Sequence, residues 1–388
     1  MPAFPSSFPL LHVKNKTLLP IVQGGMGVGV SAHRLAGAVA AENAVGTIAS
    51  VDLRRHHPDL MADTGRSRDK DAIWRANCIA LDREIRGARE IAQGRGLIAV
   101  NVMRAVSQYQ EYVRQSCESG AEAIVMGAGL PLDLPELTKD FPDVALLPIL
   151  SDVRGVVLLL KKWMKKGKLP DAVVVEHPRY AGGHLGAARK EDLGDARFDF
   201  AEVIPGILQA FKELGIESEK VPLIPAGGIN SHEKVKEMFA LGASAVQLGT
   251  AFAVSEEGDA HTEFKRVLAG AGKKDVVEFM SCAGLPARAV LTPWLEKYLG
   301  REEKLQRAAE GKEHKCTLAW DCLVQCGLRD ANARHGQFCI DNQLAYAMAG
   351  DVQKGLFFRG SENLPFGSAI RPVHELIHYL LTGEKPAL

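Results

Sequence analysis

Residues 222–250 read PLIPAGGINSHEKVKEMFALGASAVQLGT: a short apolar run, a glycine pair, a helical pattern and a second apolar run. Asn230 and Glu233 have the spacing of a capping box at a helix N-terminus, and Gly242 suits the C-terminus of the same helix. Between them, apolar side chains recur on one helical face: Val235, Met238 and Phe239. The segment therefore predicts a strand, a crossover helix and a second, parallel strand.

Comparable apolar runs recur along the first two thirds of the chain, and each predicts a buried strand. Five of the seven intervals between their starts are about 22–27 residues, which is enough for a strand, a loop and a crossover helix. The sequence therefore predicts an α/β fold, a TIM (β/α)8 barrel. The predicted strands are residues 19–23, 45–49, 97–101, 122–126, 145–150, 172–176, 222–226 and 244–248.

The two longer intervals place insertions at about residues 51–95 and 177–220, after the second and sixth strands. Loops that follow barrel strands form the active-site face, so we expect these insertions to shape a pocket or a lid. The strand rhythm stops after about Glu256. We expect residues 1–255 to form the barrel and residues 256–388 to form an appended, mainly helical region that caps it or supplies a dimer interface.

The composition is that of an ordinary globular chain of 388 residues, with 46% hydrophobic and 24% charged residues. Lys plus Arg and Asp plus Glu are 47 each, so no net charge attracts nucleic acid or an anionic membrane. No apolar run reaches the ~18 residues of a membrane span, and the N-terminus lacks a signal-peptide pattern. We expect a cytoplasmic protein with a small-molecule substrate, and a homodimer is left open.

Seven cysteines, an odd number, favour reduced thiols over a disulfide framework. Four of them have the spacing C-x5-C-x3-C-x12-C, which a zinc or iron–sulfur site can use: Cys316, Cys322, Cys326 and Cys339. The run lacks the C-x2-C pair of most structural zinc sites, so we predict no metal site there.

Glycine-containing loops follow the seventh, eighth and first predicted strands. Residues 226–230 read AGGIN and residues 248–250 read LGT, at the two barrel positions where phosphate groups usually bind to exposed backbone N–H groups. Residues 23–27, QGGMG, form a third such loop at the same mouth. A phosphate at one side and a planar ring across the mouth suit FMN, because no G-x-G-x-x-G opens a dinucleotide-binding unit.

The loop after the sixth strand reads EHPRYAGGHLG over residues 176–186. His184 lies in its glycine-flanked part, at the predicted active face, where an imidazole can reach a ligand and exchange a proton near neutral pH. We therefore predict a functional role for His184. We expect His177 to orient the loop or to face solvent.

Four motifs occur in the order of a known family: PIVQGGMGVGVS at 20–31, AGGHLG at 181–186, PAGGIN at 225–230 and AVQLGTAF at 245–252. With these motifs the chain resembles the nitronate monooxygenase family, formerly called 2-nitropropane dioxygenases. The resemblance spans residues 20 to about 255 and continues more weakly through GLFFRGSENLPFG at 355–367. It implies an FMN-dependent TIM-barrel enzyme that oxidises alkyl nitronates with O2 to carbonyl compounds and nitrite.

The resemblance also implies roles for single residues. His184 takes the position of the catalytic histidine, which either hydrogen-bonds an anionic nitro group when protonated or deprotonates a nitroalkane when neutral. The flavin would lie beside the first loop and two strand ends, with its phosphate on the loops after the seventh and eighth strands. The residues implied in FMN binding are Gln23, Gly24, Gly25, Met26, Asn101, Ser151, Gly183, Ala226, Gly227, Gly228, Gln247, Gly249 and Thr250.

The same motifs also fit NAD(P)H-dependent quinone reductases and enoyl-thioester reductases, so these activities are the alternative function. Residues 177–180, HPRY, replace the short glycine and acidic stretch of relatives, and we expect Arg179 and Tyr180 to alter the pocket. A non-catalytic binding protein is an alternative of another class, and it predicts a protein without bound flavin.

Overall fold

The computed structural model describes residues 8–310 and 322–386 of the chain. The strands are β1 (Leu11–Val13), β2 (Lys16–Leu18), β3 (Ile21–Gln23), β4 (Val45–Ala49), β5 (Leu97–Met103), β6 (Ala123–Gly127), β7 (Ala145–Leu150), β8 (Val173–Glu176), β9 (Gly183–His184), β10 (Leu223–Ala226), β11 (Val246–Leu248), β12 (Val276–Met280) and β13 (Pro286–Val290). The α-helices are α1 (His33–Ala41), α2 (Pro58–Thr64), α3 (Lys70–Ala92), α4 (Tyr109–Glu118), α5 (Leu134–Leu137), α6 (Val153–Met164), α7 (Phe200–Leu214), α8 (His232–Ala240), α9 (Thr250–Ala253), α10 (Thr262–Gly270), α11 (Pro293–Leu299), α12 (Glu302–Ala309), α13 (Ile340–Met348) and α14 (Val373–Thr382).

A closed barrel forms the centre of the molecule. Within the described residues it contains eight strands, β3 to β8 with β10 and β11, which pair in chain order and run parallel to one another. The barrel closes where β11 pairs with β3, and β9 lies outside it. Each predicted strand coincides with or overlaps one barrel strand. The TIM-barrel prediction is therefore confirmed.

The N-terminal hairpin closes one end of the barrel. Leu11, Val13 and Leu18 of β1 and β2 belong to the same buried cluster as the apolar side chains at the amino ends of the barrel strands. Lys14 Nζ donates to Pro142 O at 3.0 Å and Lys16 Nζ to Gly96 O at 2.8 Å, both in loops that precede barrel strands. The open mouth therefore lies at the carboxyl ends of the strands, where TIM barrels carry their sites.

The crossover helices bury one face against the barrel and expose the other. In α6, Lys161 and Lys162 are exposed, while the side chains on the opposite face are buried: Val156, Leu159, Leu160 and Trp163. Asp152 caps this helix by accepting from Gly155 N at 2.7 Å. Within the part of the chain that the structure describes, no helix combines the length and the hydropathy needed to cross a membrane.

The helix that the 222–250 segment predicts is α8, and it begins one residue later than the sequence pattern indicates. Ser231, not Asn230, is the N-cap: its backbone is extended, and its Oγ accepts from Lys234 N at 3.3 Å. The Asn230 amide instead donates to Asn363 O at 2.6 Å. The prediction of Asn230 as the cap was wrong because a contact with a distant segment engages its side chain.

Residues after 256 form helices α10 to α14 together with two strands that the sequence pattern did not indicate. β12 pairs with β13, and β13 pairs with β9, in one antiparallel sheet. His184 faces Ala287 and Gly183 faces Arg288 in this register. The appended region therefore supplies a strand that fixes the loop carrying His184.

A buried carboxylate, Glu84 of α3, connects three parts of the outer shell. Its side chain is 1% exposed, and it accepts hydrogen bonds from His33 N at 2.8 Å and from His33 Nδ1 at 2.6 Å. His57 Nε2 lies 2.9 Å from its other oxygen. Burial favours a raised pKa, but the hydrogen bonds from His33 and the close contact with His57 outweigh it and hold the pKa of Glu84 well below its usual range. The same hydrogen bond raises the pKa of His33.

We expect Glu84→Gln to lower the free energy of unfolding by about 2 kcal/mol, because it removes the charge that both histidines face. The lowered pKa of Glu84 gives stability that is present above about pH 4 and is lost as the pH falls. The raised pKa of His33 gives stability that is present below about pH 6.5 and is lost as the pH rises. Urea unfolding should therefore show the largest difference between the two proteins at about pH 5–6.

The matched control for this prediction is Glu118→Gln, which removes an exposed i,i+4 pair with Arg114. It should change the free energy of unfolding by less than about 0.5 kcal/mol. An effect of Glu84→Gln that stays constant from acid to alkaline pH would contradict the assignment of its stability to this charged cluster.

Candidate active site

A cavity of about 290 Å³ lies at the carboxyl ends of the barrel strands. Its floor contains strand-end residues, among them Asn101, Glu176 and Gln247. Its roof comes from the chain beyond residue 320 and is largely apolar: Leu323, Ile340, Leu344, Leu356, Phe358 and Leu364. The site thus has a polar floor from the barrel and an apolar cover from the appended region.

Most residues that the sequence implicates in cofactor binding line this cavity, as does His184: Gly24, Gly25, Met26, Asn101, Gly183, Ala226, Gly227, Gly228, Gln247, Gly249 and Thr250. Gln23 and Ser151 are not part of the lining. Gln23 is fully buried, its Nε2 donates to Gly24 O, and its Oε1 accepts from Thr47 N at 2.8 Å. The structure therefore places Gln23 behind the first loop, as a support for its backbone.

The loop after β3 lies close to two polar side chains of the floor. A Cβ on Gly25 would lie 2.3 Å from Asn101 Cβ, and one on Gly24 would lie 3.3 Å from the Gln247 amide. The next residue, Met26, donates its N–H to Ser31 Oγ at 2.9 Å. Glycine is needed at position 25 because any side chain there would overlap Asn101.

The two loops after β10 and β11 expose backbone at the opposite side of the mouth. Gly227 and Gly228 have φ angles of +106° and +72°, in the left-handed region that favours glycine. A Cβ on Gly228 would lie 2.8 Å from Tyr180 Cβ. In the adjacent loop, Thr250 Oγ1 accepts from Gly360 N at 3.0 Å. Gly227, Gly228, Gly249 and Thr250 all line the cavity, so the two loops bring small residues and their backbone to it.

His184 is held in the cavity wall by β13 and by a buried arginine. Arg288 is 2% exposed and donates to Pro178 O at 3.2 Å and to Ala181 O at 2.6 Å, and it forms an ion pair with Glu278. The His184 ring lies 5.7 Å from that of Phe358, centroid to centroid. Its Nε2 is buried without a hydrogen-bond partner among the described residues. Burial lowers the pKa of His184 to about 4, so the imidazole is neutral at pH 7.

The neighbouring residues of this loop differ in their roles. His177 is 2% exposed, lies with Nε2 3.2 Å from Asp199 Oδ1, and accepts from Arg179 N at 3.2 Å, so it orients the loop. Tyr180 lines the cavity and packs against the His177 ring at 4.6 Å. Arg179 is exposed and does not line it. Only Tyr180 of the HPRY segment therefore contributes a side chain to the pocket wall.

Three acidic residues line the cavity, and none of them was singled out from the sequence: Glu176, Asp341 and Glu362. Glu176 ends β8, and burial raises its pKa to about 7. Asp341 of α13 lies 2.6 Å from Arg55 Nη2, and burial, with the charge of Asp52, raises its pKa to about 7. The position of Glu176 at the end of a barrel strand is a signal that the sequence contains. Asp341 has no such signal, because its place in the cavity depends on how the appended region folds.

Two of the cysteines at residues 316–339 take part in a thiol contact or in the cavity lining. Cys282 and Cys326 form a hydrogen bond between their side chains, and Cys322 lines the cavity. Cys316 lies outside the described residues. In residues 8–310 and 322–386, no group of three or more His, Cys, Asp or Glu side chains is arranged to hold a metal ion.

A closed parallel barrel with a cavity at the carboxyl ends of its strands defines a TIM-barrel enzyme. The model of the nitronate monooxygenase family matches residues 9–383, so the chain belongs to this family of oxidoreductases. Membership of the family implies a flavin cofactor.

The chain is also similar to individual proteins. The chain is 28% identical over 289 residues to the probable nitronate monooxygenase of Bacillus subtilis, covering 72% of this chain and 78% of the relative. FabK from Thermotoga maritima has a TM-score of 0.61 at 22% identity, covering 95% of this chain and 92% of its own. The nitroalkane oxidase of Streptomyces ansochromogenes has a TM-score of 0.61 at 20% identity, covering 93% and 94%. The two structural likenesses show the fold.

The unpartnered polar atoms of the cavity wall fit a flavin. Gln247 Oε1 and His184 Nε2 are buried in residues that line the cavity and have no hydrogen-bond partner among the described residues. Buried polar atoms without partners are costly unless a ligand satisfies them, and a polar heteroaromatic ring can do so.

We expect Gly228→Ala to weaken flavin binding by about tenfold or more, because alanine is strained at φ +72° and its Cβ would overlap Tyr180. The measurement is titration of the apoprotein with FMN, followed by flavin fluorescence. Gly194→Ala is the matched control, since a Cβ there meets nothing within 4 Å, and it should leave the affinity unchanged. Equal affinity for Gly228→Ala and wild type would show that this loop does not hold the cofactor.

Proposed function

We propose that the protein binds FMN and oxidises alkyl nitronates with O2, giving a carbonyl compound and nitrite. The observation that carries the proposal is His184: its Nε2 is buried without a hydrogen-bond partner among the described residues, in the wall of the cavity that the glycine loops line. Family membership supports the reaction class. Because the family consists of oxidoreductases, its match also disfavours a non-catalytic binding protein.

Residues on opposite sides of the mouth would hold the cofactor. The backbone of Gly227, Gly228 and Gly249 suits the phosphate, since exposed N–H groups stabilise an anion. Gly25, Met26 and Gln247 suit the ring system. Bound FMN would supply the electron transfer, and the protein positions the substrate and controls its charge.

The chemistry of His184 follows from its burial. A pKa of about 4 keeps the ring neutral at pH 7, so it has one N–H to donate and one lone pair to accept a proton. Of the two roles open for this histidine, burial favours the neutral one, which takes a proton from the carbon of a neutral nitroalkane. The apolar roof excludes water and strengthens hydrogen bonds to the nitro group.

The direct test is product analysis after incubation of the FMN-loaded protein with an alkyl nitronate in air. The proposal predicts nitrite and the carbonyl compound in equal amounts, with O2 consumed. A protein that holds FMN and forms neither product would contradict it.

His184→Asn should keep FMN bound and reduce turnover of a neutral nitroalkane by about a hundredfold or more, because asparagine cannot accept the proton. Turnover of the preformed nitronate should fall less, since that substrate needs no proton abstraction. The steady-state rate with each substrate measures the difference. His12→Asn, an exposed histidine of the N-terminal hairpin, is the control and should match wild type. Unchanged nitroalkane turnover in His184→Asn would remove the residue from the mechanism.

An NAD(P)H-dependent reductase of quinones or enoyl thioesters is the second candidate, and the apolar roof is the observation that favours it. Leu323, Leu344 and Phe358 offer a surface that an acyl chain or a quinone ring could contact. This candidate predicts NADH oxidation that depends on added quinone or enoyl thioester. Absence of such oxidation would leave the nitronate reaction as the function.

A further inference from the structure

Glu176 lies at the carboxyl end of a barrel strand, where TIM barrels place side chains that contact the substrate. It is the last residue of β8, pairs in register with Ala226 of β10, and lines the cavity. Its Oε2 lies 3.4 Å from the position that a Cβ on Gly186 would take, and Ser151 Oγ lies 1.9 Å from the same point. Position 186 needs a glycine because Ser151 Oγ fills the place that a Cβ would take, and the Glu176 carboxyl lies beside this contact.

The Glu176 carboxyl differs from the other acids of the cavity because it has no partner. Asp341 pairs with Arg55, and Glu362 lies 3.8 Å from Lys234 Nζ and 3.6 Å from Lys273 Nζ. Among the described residues, no hydrogen bond or ion pair engages Glu176, and burial alone raises its pKa to about 7. A carboxyl group in this setting is available to a ligand.

The other titratable groups near Glu176 are either neutral or already paired with an opposite charge. Of the titratable groups that line the same cavity, His184 is neutral at pH 7, and Asp341 and Glu362 have the cationic partners named above. The next residue, His177, is buried against Asp199, and burial lowers its pKa. Arg288 donates to loop carbonyls and pairs with Glu278.

The cavity lining contains no basic side chain that could attract an anionic substrate, among the described residues. Among the described residues that line it, none is a lysine or an arginine, while three are acids. A nitronate that enters meets no basic side chain, so neutral hydrogen-bond donors must stabilise its oxygens. An ionised carboxylate beside it would repel it, and a neutral carboxyl would donate to it.

We propose that Glu176 in its neutral form donates a hydrogen bond to an oxygen of an anionic substrate and that its ionised form excludes that anion. The inference rests on the proposed function, because nitronates are the anions considered. It makes Glu176 a second substrate-contacting residue beside His184. Anion binding is then linked to proton uptake: above neutral pH the carboxyl must gain one proton before the anion binds.

The test uses inorganic nitrite, the anionic product of the proposed reaction, as a probe that requires no turnover. Calorimetric titration of the FMN-loaded protein in buffers of different ionisation enthalpy measures both affinity and proton uptake. For wild type we expect nitrite affinity to fall about tenfold per pH unit above about pH 8, with uptake that approaches one proton. Glu176→Gln keeps an uncharged donor of similar shape, so it should take up no proton and lose the pH dependence.

Two further variants assign the titrating group. Glu362→Gln removes a cavity acid that already has lysine neighbours, and Asp341→Asn removes the other acid with a raised pKa. Both should retain proton uptake. Uptake that disappears in Asp341→Asn but persists in Glu176→Gln would overturn the proposal, as would nitrite that fails to bind at about pH 6.

A measurement on wild-type protein without nitrite does not depend on whether a variant folds. Infrared difference spectra of wild type should show a protonated carboxyl band that disappears near pH 7. The band should lose its Glu176 component in Glu176→Gln and keep it in Asp341→Asn, which removes the other acid with a raised pKa. A wild-type spectrum without this band would contradict the inference. If nitrite binds with proton uptake while nitronates are not oxidised, the proposed function fails and Glu176 remains the anion-binding residue.

Discussion

The antiparallel pairing between Gly183–His184 and the strand Pro286–Val290 is the constraint on which the site depends. The barrel alone presents residues 177–186 as a loop with three glycines, which has little conformational preference of its own. Pairing fixes its backbone, and Arg288, buried within the pairing strand, binds two carbonyl groups of the same loop. The appended region therefore places the histidine as well as covering the cavity.

The second general feature is the low polarity of the mouth, which shifts two titratable groups in opposite directions. Burial disfavours charge on either kind of group, so the pKa of His184 falls to about 4 and that of Glu176 rises to about 7. Both side chains are thereby available in neutral form near pH 7. A cavity that stabilises neutral groups, with a cofactor supplying the redox chemistry, suits reactions in which the protein moves protons and controls substrate charge.

The sequence predicted the barrel well because each strand is a short apolar run at regular spacing, and this signal is local. It also predicted the glycine loops at the mouth, since the carboxyl ends of parallel strands meet at one face. It misplaced the N-cap of α8 because Asn230 contacts Asn363, far along the chain. The strands beyond residue 256 and the burial that raises the pKa of Glu176 also depend on long-range packing. The local sequence pattern therefore could not indicate them.

The proposed function requires that FMN, held by the glycine loops, would accept electrons from a nitronate bound beside His184. The measurement that tests it is the visible spectrum of the purified protein under anaerobic conditions, with an alkyl nitronate and NADH added separately. We expect a flavin spectrum that the nitronate bleaches and NADH does not. Bleaching by NADH alone, or a protein that shows no flavin absorbance after loading with FMN, would contradict it.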